Sequence, residues 1–457
     1  MSVVSNGSPI GARFITGSTM RHVVVMTATS AVGLMAMFLV DLADLWFLTL
    51  LNQIEITAAI GFAGTIVFSN LSVGLGLAIA AGALVAQAMG RGEEDQARET
   101  ASAALCLSLI TGLIVAMAIV AFARPMLSVL GASGEALELA RYYLVVIAPG
   151  FLLLAGAITV SFVLRAIGDP RRAMYVTLVT AITNAVLDPI FIFWMDMGIA
   201  GAALATVFAN LFSFAVGLHA LHHHHSFVVR PRISSIRANL RPIMRIALPA
   251  IATQLATPFA IAYMTRITAT FGNDAVAAVA VINRLVPVAF GVIFSLSGAV
   301  GPIIGQNYGA GKFDRVSQTL KDAMVFSTLY TVAVSVVLLA VAGYMPGWFS
   351  ATPAAAELIT FYYTFIAITW AFAGAQFVAQ AAFNNLDRPK WSMWFNWGKA
   401  TIGTIPLLHL GAAWGGATGV LMALGAVNIM FGLVAAITAF TLVRTMATQA
   451  RVKGDTA

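Results

Sequence analysis

The segment AQAMGRGEEDQA at Ala86 to Ala97 returns 219 positions later as GQNYGAGKFDRV at Gly305 to Val316. The same offset pairs Ala58 and Ala59 with Ala277 and Ala278, and Pro170 with Pro389. A register held from residue 58 to residue 389 is the mark of a duplicated structural unit, so the chain is expected to fold as two homologous halves. Composition says what kind of halves they are. With 60% hydrophobic and 9% charged residues and a mean hydropathy of +0.91, the chain is far too apolar for a soluble core. The expected fold class is an all-α polytopic membrane protein.

Apolar stretches of about 20 residues, long enough to cross a bilayer, number twelve: roughly 23–50, 56–85, 98–123, 138–164, 173–195, 199–220, 243–270, 275–304, 319–345, 355–384, 391–411 and 416–443. Of the 25 Lys and Arg, all but Arg124, Arg141, Arg266, Arg284 and Lys399 lie at the termini or in alternate connections. That alternation is the positive-inside pattern and predicts cytoplasmic termini on an inner-membrane protein. The first twenty residues are polar and mixed, so no cleavable signal is expected. The single cysteine, Cys106, lies in an apolar run and offers neither a disulfide nor a thiolate cluster.

The longest polar stretch, Leu221 to Arg245, carries Arg230, Arg232, Arg237, Arg241 and Arg245 and reads as a linker on the anionic inner leaflet. This divides the chain into an N-terminal six-helix lobe (1–221), a basic cytoplasmic linker (222–242) and a C-terminal six-helix lobe with its tail (243–457). His222 to His225 have no Cys or carboxylate beside them in sequence, and no functional metal site is expected there. Gly90, Gly92, Gly309 and Gly311 lack the preceding strand and the following Lys-Ser/Thr of a phosphate loop, and are read as turns closing long helices.

An ionisable group within a span costs about 2.5–3.5 kcal/mol on insertion scales and needs a reason to be there. Asp41 and Asp44 lie in the first span, three apart and hence on one helix face; Asn184 and Asp188 lie four apart in the fifth. Pro189 follows Asp188 and removes a backbone donor beside it. Thr206 in the sixth span sits within GAALAT, whose small residues permit close helix approach. These groups are read as one polar chamber for a proton or Na+, with helix-packing polar residues as the alternative. At the 219 offset, Asp44 and Asp188 are matched by Tyr263 and Leu407, so the duplicated site has lost its acids. The second half carries Arg266, Arg284 and Lys399, as snorkelling side chains or as a source of positive potential.

Taken in order, LADLWFL with ITAAIGFAG, LVAQAMGRG, LRAIGDPRR, NAVLDPIFIF, GIAGAALATVFAN, ALPAIATQ, GNDAVAAVAVINR, GPIIGQNYGAGK and NNLDRPK resemble the recurring segments of the multidrug and toxic compound extrusion (MATE) family, across essentially the whole chain. The acid of the first span and the Asn-x-x-x-Asp of the fifth look like its DinF-type branch. The resemblance implies twelve transmembrane helices in two pseudo-symmetric six-helix lobes, with a cavity that opens alternately to either side. It implies a cation site at Asp44, Asn184, Asp188 and Thr206, with Asp41 nearby, and substrate contacts at Asp44, Asp188 and Gln254. Where the family commonly has a proline early in the first span, this chain reads Thr29 and Ser30, so coupling through a proline kink is not expected.

The expected function is secondary multidrug efflux: export of lipophilic, often cationic, organic compounds by antiport with H+ or Na+. No cofactor and no metal beyond that Na+ are expected. The expected partners are small organic substrates and membrane lipids but no nucleic acid, and the working unit is expected to be a monomer. A lipid-linked precursor flippase of related architecture is the alternative within transport, and the twelve spans count against it. A membrane-embedded enzyme would need a nucleophile with a base, or clustered metal ligands, at membrane depth, and the sequence offers neither.

Overall fold

A computed structural model describes residues 11–49, 54–230 and 232–455, apart from the side chains of 41, 42, 44–46, 48, 49, 54, 57 and 453–455. Helices α1 (Thr19–Thr49), α2 (Ile54–Arg91), α3 (Glu94–Val129), α4 (Gly134–Ala166), α5 (Pro170–Pro189) and α6 (Gly198–His219) form the first half. Helices α7 (Ile233–Ala269), α8 (Asn273–Gly309), α9 (Phe313–Val341), α10 (Met345–Trp348), α11 (Pro353–Phe361), α12 (Trp370–Asn385), α13 (Pro389–Gly398) and α14 (Thr404–Asp455) form the second. Among the described residues there is no strand.

Among the described residues, eleven stretches are long and apolar enough to cross a membrane, and the last of them, Pro389–Val452, contains two spans. Its helical geometry breaks at Gly415 and Gly416, the latter at φ +58°, where the missing Cβ is required. Beyond the break the chain folds back so closely that a Cβ on Gly411 would collide with the backbone of Gly419. Twelve spans result among the described residues, as the hydropathy pattern predicts, and the protein is a multi-pass membrane protein.

The duplicated motif closes helices in the same way twice. Gly92 (φ +77°) and Gly311 (φ +69°) adopt left-handed geometry. The amides that follow them, of Glu93 and Lys312, reach back to Ala88 O and Asn307 O. That is a glycine-terminated C-cap that satisfies carbonyls the helix end would otherwise orphan. The polar stretch between the halves is more helical than its composition suggests. A π-helical turn, Ala220–His224, prolongs α6 through the histidines, and α7 already begins at Ile233.

By contacts the chain forms two compact units, residues 1–13 with 32–251, and residues 14–31 with 252–457. The first unit buries Leu77, Val85, Leu164 and Ile246 in one cluster and Leu127, Leu144, Phe151 and Ile192 in another. Its helices approach through small residues: a Cβ on Gly112 would strike the backbone of Leu152, and one on Gly217 would strike Val160. The second unit is built around Phe290, Leu296, Ile303, Tyr363 and Phe383.

The segment before α1 belongs to the second unit for a visible reason. The Phe14 N–H donates to Gln306 Oε1 at 2.9 Å, Asn307 Nδ2 donates to Phe14 O at 3.1 Å, and the Arg315 guanidinium donates to the carbonyls of Phe14, Thr16 and Gly17. Thr19 then donates to the Asp322 carboxylate on α9. In the first unit, the start of α7 docks on α3 in the corresponding way: Thr100 donates to Asn239 at 3.0 Å, and Ser235 to Glu99 at 3.2 Å.

Candidate functional site

Asp188 is 1% exposed on the last turn of α5. Such burial within a membrane span is costly for a carboxylate unless its surroundings or a bound cation compensate it. Asn184 stands one turn earlier, with its side-chain oxygen shielded from solvent and without a hydrogen-bond partner among the described residues. An orphaned acceptor next to a buried acid suits a hard cation, which binds carboxylate and carbonyl oxygens. Pro189 has no N–H to give to the carbonyl one turn behind it. The backbone then widens into a π-helical turn, Ile190–Trp194, a geometry that recurs at functional sites.

Helix α6 seats against this turn. A Cβ on Gly201 would meet the Phe191 carbonyl and the Ile192 nitrogen below 3 Å, so only glycine allows the approach. Farther along, Ser213 donates to Val176 O at 2.9 Å and ties α6 to α5. Thr206 lies on α6 with its hydroxyl donating to Ala202 O at 3.1 Å, which leaves the oxygen lone pairs free to accept or coordinate.

The acid-bearing part of α1 runs beside α5. Gly33 abuts Thr177, and farther along in the same sense Phe47 meets Phe193 edge-on at 6.0 Å, so the two helices are parallel. Asp44 and Asp188 each lie eleven residues beyond the Gly33–Thr177 contact, at the same level of the bundle. The side chains of Asp41 and Asp44 are outside the described residues. Gln254 is half-buried on α7, in the second unit. Thr29, where the family proline is missing, donates to Val25 O at 2.8 Å, and α1 runs unbroken through it.

In the second unit, the residue matching Asp44 makes a different pair. The Tyr263 hydroxyl and His409 Nε2 are 2.7 Å apart, two residues beyond Leu407, the counterpart of Asp188. His409 looks isolated in sequence, and only the packing of α7 against α14 reveals its partner. Arg266 and Arg284 are exposed, as snorkelling side chains are. Lys399 is not: it opens a π-helical turn, Lys399–Gly403, and its Nζ donates to Gln376 Oε1 on α12 at 3.1 Å.

The histidines beyond α6 do have a carboxylate near them. His225 Nε2 lies 2.8 Å from Asp169 Oδ2, which also receives the Arg172 guanidinium, while Asp169 Oδ1 accepts the Arg172 N–H and caps α5. Burial alone would raise the Asp169 carboxyl, but the bonds from His225 and Arg172 outweigh it and hold the group well below the usual carboxylate range. The Asp-Pro pair is a legible N-cap signature, whereas the reach of His225 across 56 residues is not. Among the described residues no three His, Cys, Asp or Glu side chains converge as a metal site would require.

The sequence matches the MatE family model over residues 30–190 and 249–408. It is 29% identical to a FAD transporter of Shewanella oneidensis over 89% of this chain and 91% of that one. It is 27% identical to the multidrug export protein MepA of Staphylococcus aureus over 72% and 73% of the two chains. Among solved structures, the MATE transporter VcmN of Vibrio cholerae superposes with a TM-score of 0.90 at 23% identity, covering 94% of this chain and 98% of that one. A MOP superfamily transporter from Pyrococcus furiosus does so with a TM-score of 0.89 at 20% identity, covering 95% and 98%. At those identities the structural likeness speaks for the fold alone.

Proposed function

We propose, since this chain belongs to the MatE family and is thus a membrane transporter and not an enzyme, that it exports organic compounds by antiport with H+ or Na+. The observation that carries this reading is the pairing of buried Asp188 with the orphaned oxygen of Asn184 beside a widened helical turn. Asp44 and Thr206 complete the cation site in this reading, with Asp41 nearby, in the manner of the DinF-type branch. Cation entry neutralises the acids and repacks the first unit, and the repacking drives the change of access. The termini and the basic connections face the cytoplasm of a cell whose inner membrane the protein spans, and one chain is the working unit.

Energetics bear on stoichiometry. One proton entering down 100 mV and one pH unit supplies about 2.3 and 1.4 kcal/mol. Expelling a monovalent cation against the same potential takes back about 2.3 kcal/mol. One-for-one exchange then sustains about a tenfold gradient. Two acids permit a second ion, and with it steeper efflux. The relatives' substrates, FAD in one case and drugs in the other, bracket the range to test.

The test is efflux of ethidium and of FAD from pump-deficient cells expressing the wild-type chain or Asp188→Asn at equal membrane abundance. Export by the wild type alone is expected, and vesicles with imposed H+ or Na+ gradients then identify the ion. Equal export by both would remove Asp188 from the mechanism.

A further inference from the structure

Lys399 is a spanning-segment cation that the fold turns inward toward a neutral partner. It lies ten residues into the span that begins at Pro389, so the backbone carries it about 15 Å from that end, near the middle of a bilayer core of about 30 Å. Its ammonium donates to Gln376 Oε1 at 3.1 Å, and Gln376 is itself 3% exposed. Among the described residues no carboxylate pairs with Lys399: the ion pairs present all involve other residues.

The backbone around Lys399 is shaped rather than incidental. The π-helical turn Lys399–Gly403 starts at this residue, and Thr404 donates its hydroxyl to the Lys399 carbonyl at 2.7 Å. Phe431 covers the turn at Gly398 and Gly403, where a Cβ on Gly403 would collide with the ring. Packing therefore fixes the helix on one side while the side chain reaches α12 on another. At the 219 offset Lys399 corresponds to Thr180, and the turn it opens corresponds to Thr180–Asn184, the stretch that leads into the acid site of the first unit. Within the repeat, Lys399 thus stands eight residues before Leu407, the counterpart of Asp188.

We propose that Lys399 and Gln376 form an anion subsite in the second unit, which holds the phosphate or carboxylate group of a transported organic compound. An ammonium in an apolar span is stabilised by a counter-charge, and a lysine accepts phosphate or carboxylate as a compact point charge. Gln376 fixes the amine through its carbonyl, and its amide N–H groups remain to donate to the same anion. The subsite adds a substrate class to the transport reading and rests on it, because the anion is the cargo.

The experiment separates binding from coupling. Full-length protein in detergent is titrated with FAD and carboxyfluorescein as anions, and with riboflavin and ethidium as neutral and cationic aromatics, by equilibrium dialysis. The wild type is expected to bind at least one anion, with Lys399→Gln weakening that anion tenfold or more, leaving any binding of riboflavin and ethidium within about twofold, and Lys399→Arg restoring most of the loss. Transport of the bound anion in proteoliposomes should follow the same order. The proposal is overturned if the wild type binds neither anion, if Lys399→Gln binds anions as the wild type does, or if it loses all probes equally. Asp188→Asn serves as the control for the transport reading: it should abolish gradient-driven flux. Intact flux in that variant defeats the coupling reading and leaves the binding result to stand or fall separately.

Discussion

Tyr263 and His409 meet at 2.7 Å between Oη and Nε2, and Tyr263 occupies the position that Asp44 holds in the first half. The second half therefore carries a Tyr–His hydrogen bond where the first half carries an acid. Tyr263→Phe is expected to leave the half-saturating concentration of the coupling ion within about twofold of wild type. Flux measured against an ion titration in proteoliposomes checks this; a tenfold change would place part of the coupling in the second unit.

Asn184 and Thr206 should differ in weight. The Asn184 oxygen has no partner among the described residues, whereas the Thr206 hydroxyl already donates within its own helix. Asn184→Ala is expected to weaken the coupling ion about tenfold, equivalent to about 1.4 kcal/mol, and Thr206→Ala less than threefold. If the ion is Na+, the readout is the concentration needed to raise the melting temperature in detergent. If it is H+, the readout is a displacement of about one pH unit in the flux profile.

Gly201 is held to hydrogen by the Phe191 carbonyl. Gly201→Val should force α6 away from the turn after Pro189 and cost about 1–3 kcal/mol through overpacking. It should also impair ion binding, because the turn follows Asp188 directly. Thermal unfolding together with ion titration checks both effects; a variant with unchanged stability and ion affinity would show that the close approach is dispensable.

Asp169 gives a pH prediction. Its folded-state carboxyl sits below the unfolded value of about 3.9. The stabilisation is thus complete above about pH 4 and fades only as pH falls further, through the folded value. Asp169→Asn should cost about 1 kcal/mol. The gap from wild type should stay level between pH 5 and pH 8 and close under strong acid. Chemical denaturation at a series of pH values measures it, and a gap that varied across the neutral range would show that the Asp169 carboxylate does not set the stabilisation.

Much of this was legible in the chain. The 219-residue offset, the run of apolar stretches and the glycine turns follow from local rules, because hydropathy, helix capping and left-handed backbone are properties of neighbouring residues. Asn184 and Asp188 share a face through the helical repeat alone. The pairs Tyr263 with His409, His225 with Asp169 and Lys399 with Gln376 were not legible. Each joins residues of different helices or helix ends across 146, 56 and 23 positions, and side-chain type does not encode which elements touch. The widened turns were hidden too, since only Pro189 advertises one and the turn at Lys399 has no proline of its own.

Helices α1 and α7 change allegiance at matching places, the first between residues 31 and 32 and the second between 251 and 252, within one residue of the 219 offset. Each unit is completed by a half-helix drawn from the other half of the sequence. The order of synthesis gives that arrangement a temporal consequence. Phe14 leaves the ribosome early, yet its acceptor Gln306 follows 292 residues later, a delay of roughly 15–60 s at ordinary elongation rates. During that interval the amino-terminal half-helix has no native seat, and translation of α8 and α9 ends the wait. A polypeptide truncated before Gln306 would leave this segment undocked, and a second half made alone would expose the surface it fills. The repeat that looks in sequence like two proteins in tandem must therefore mature as one.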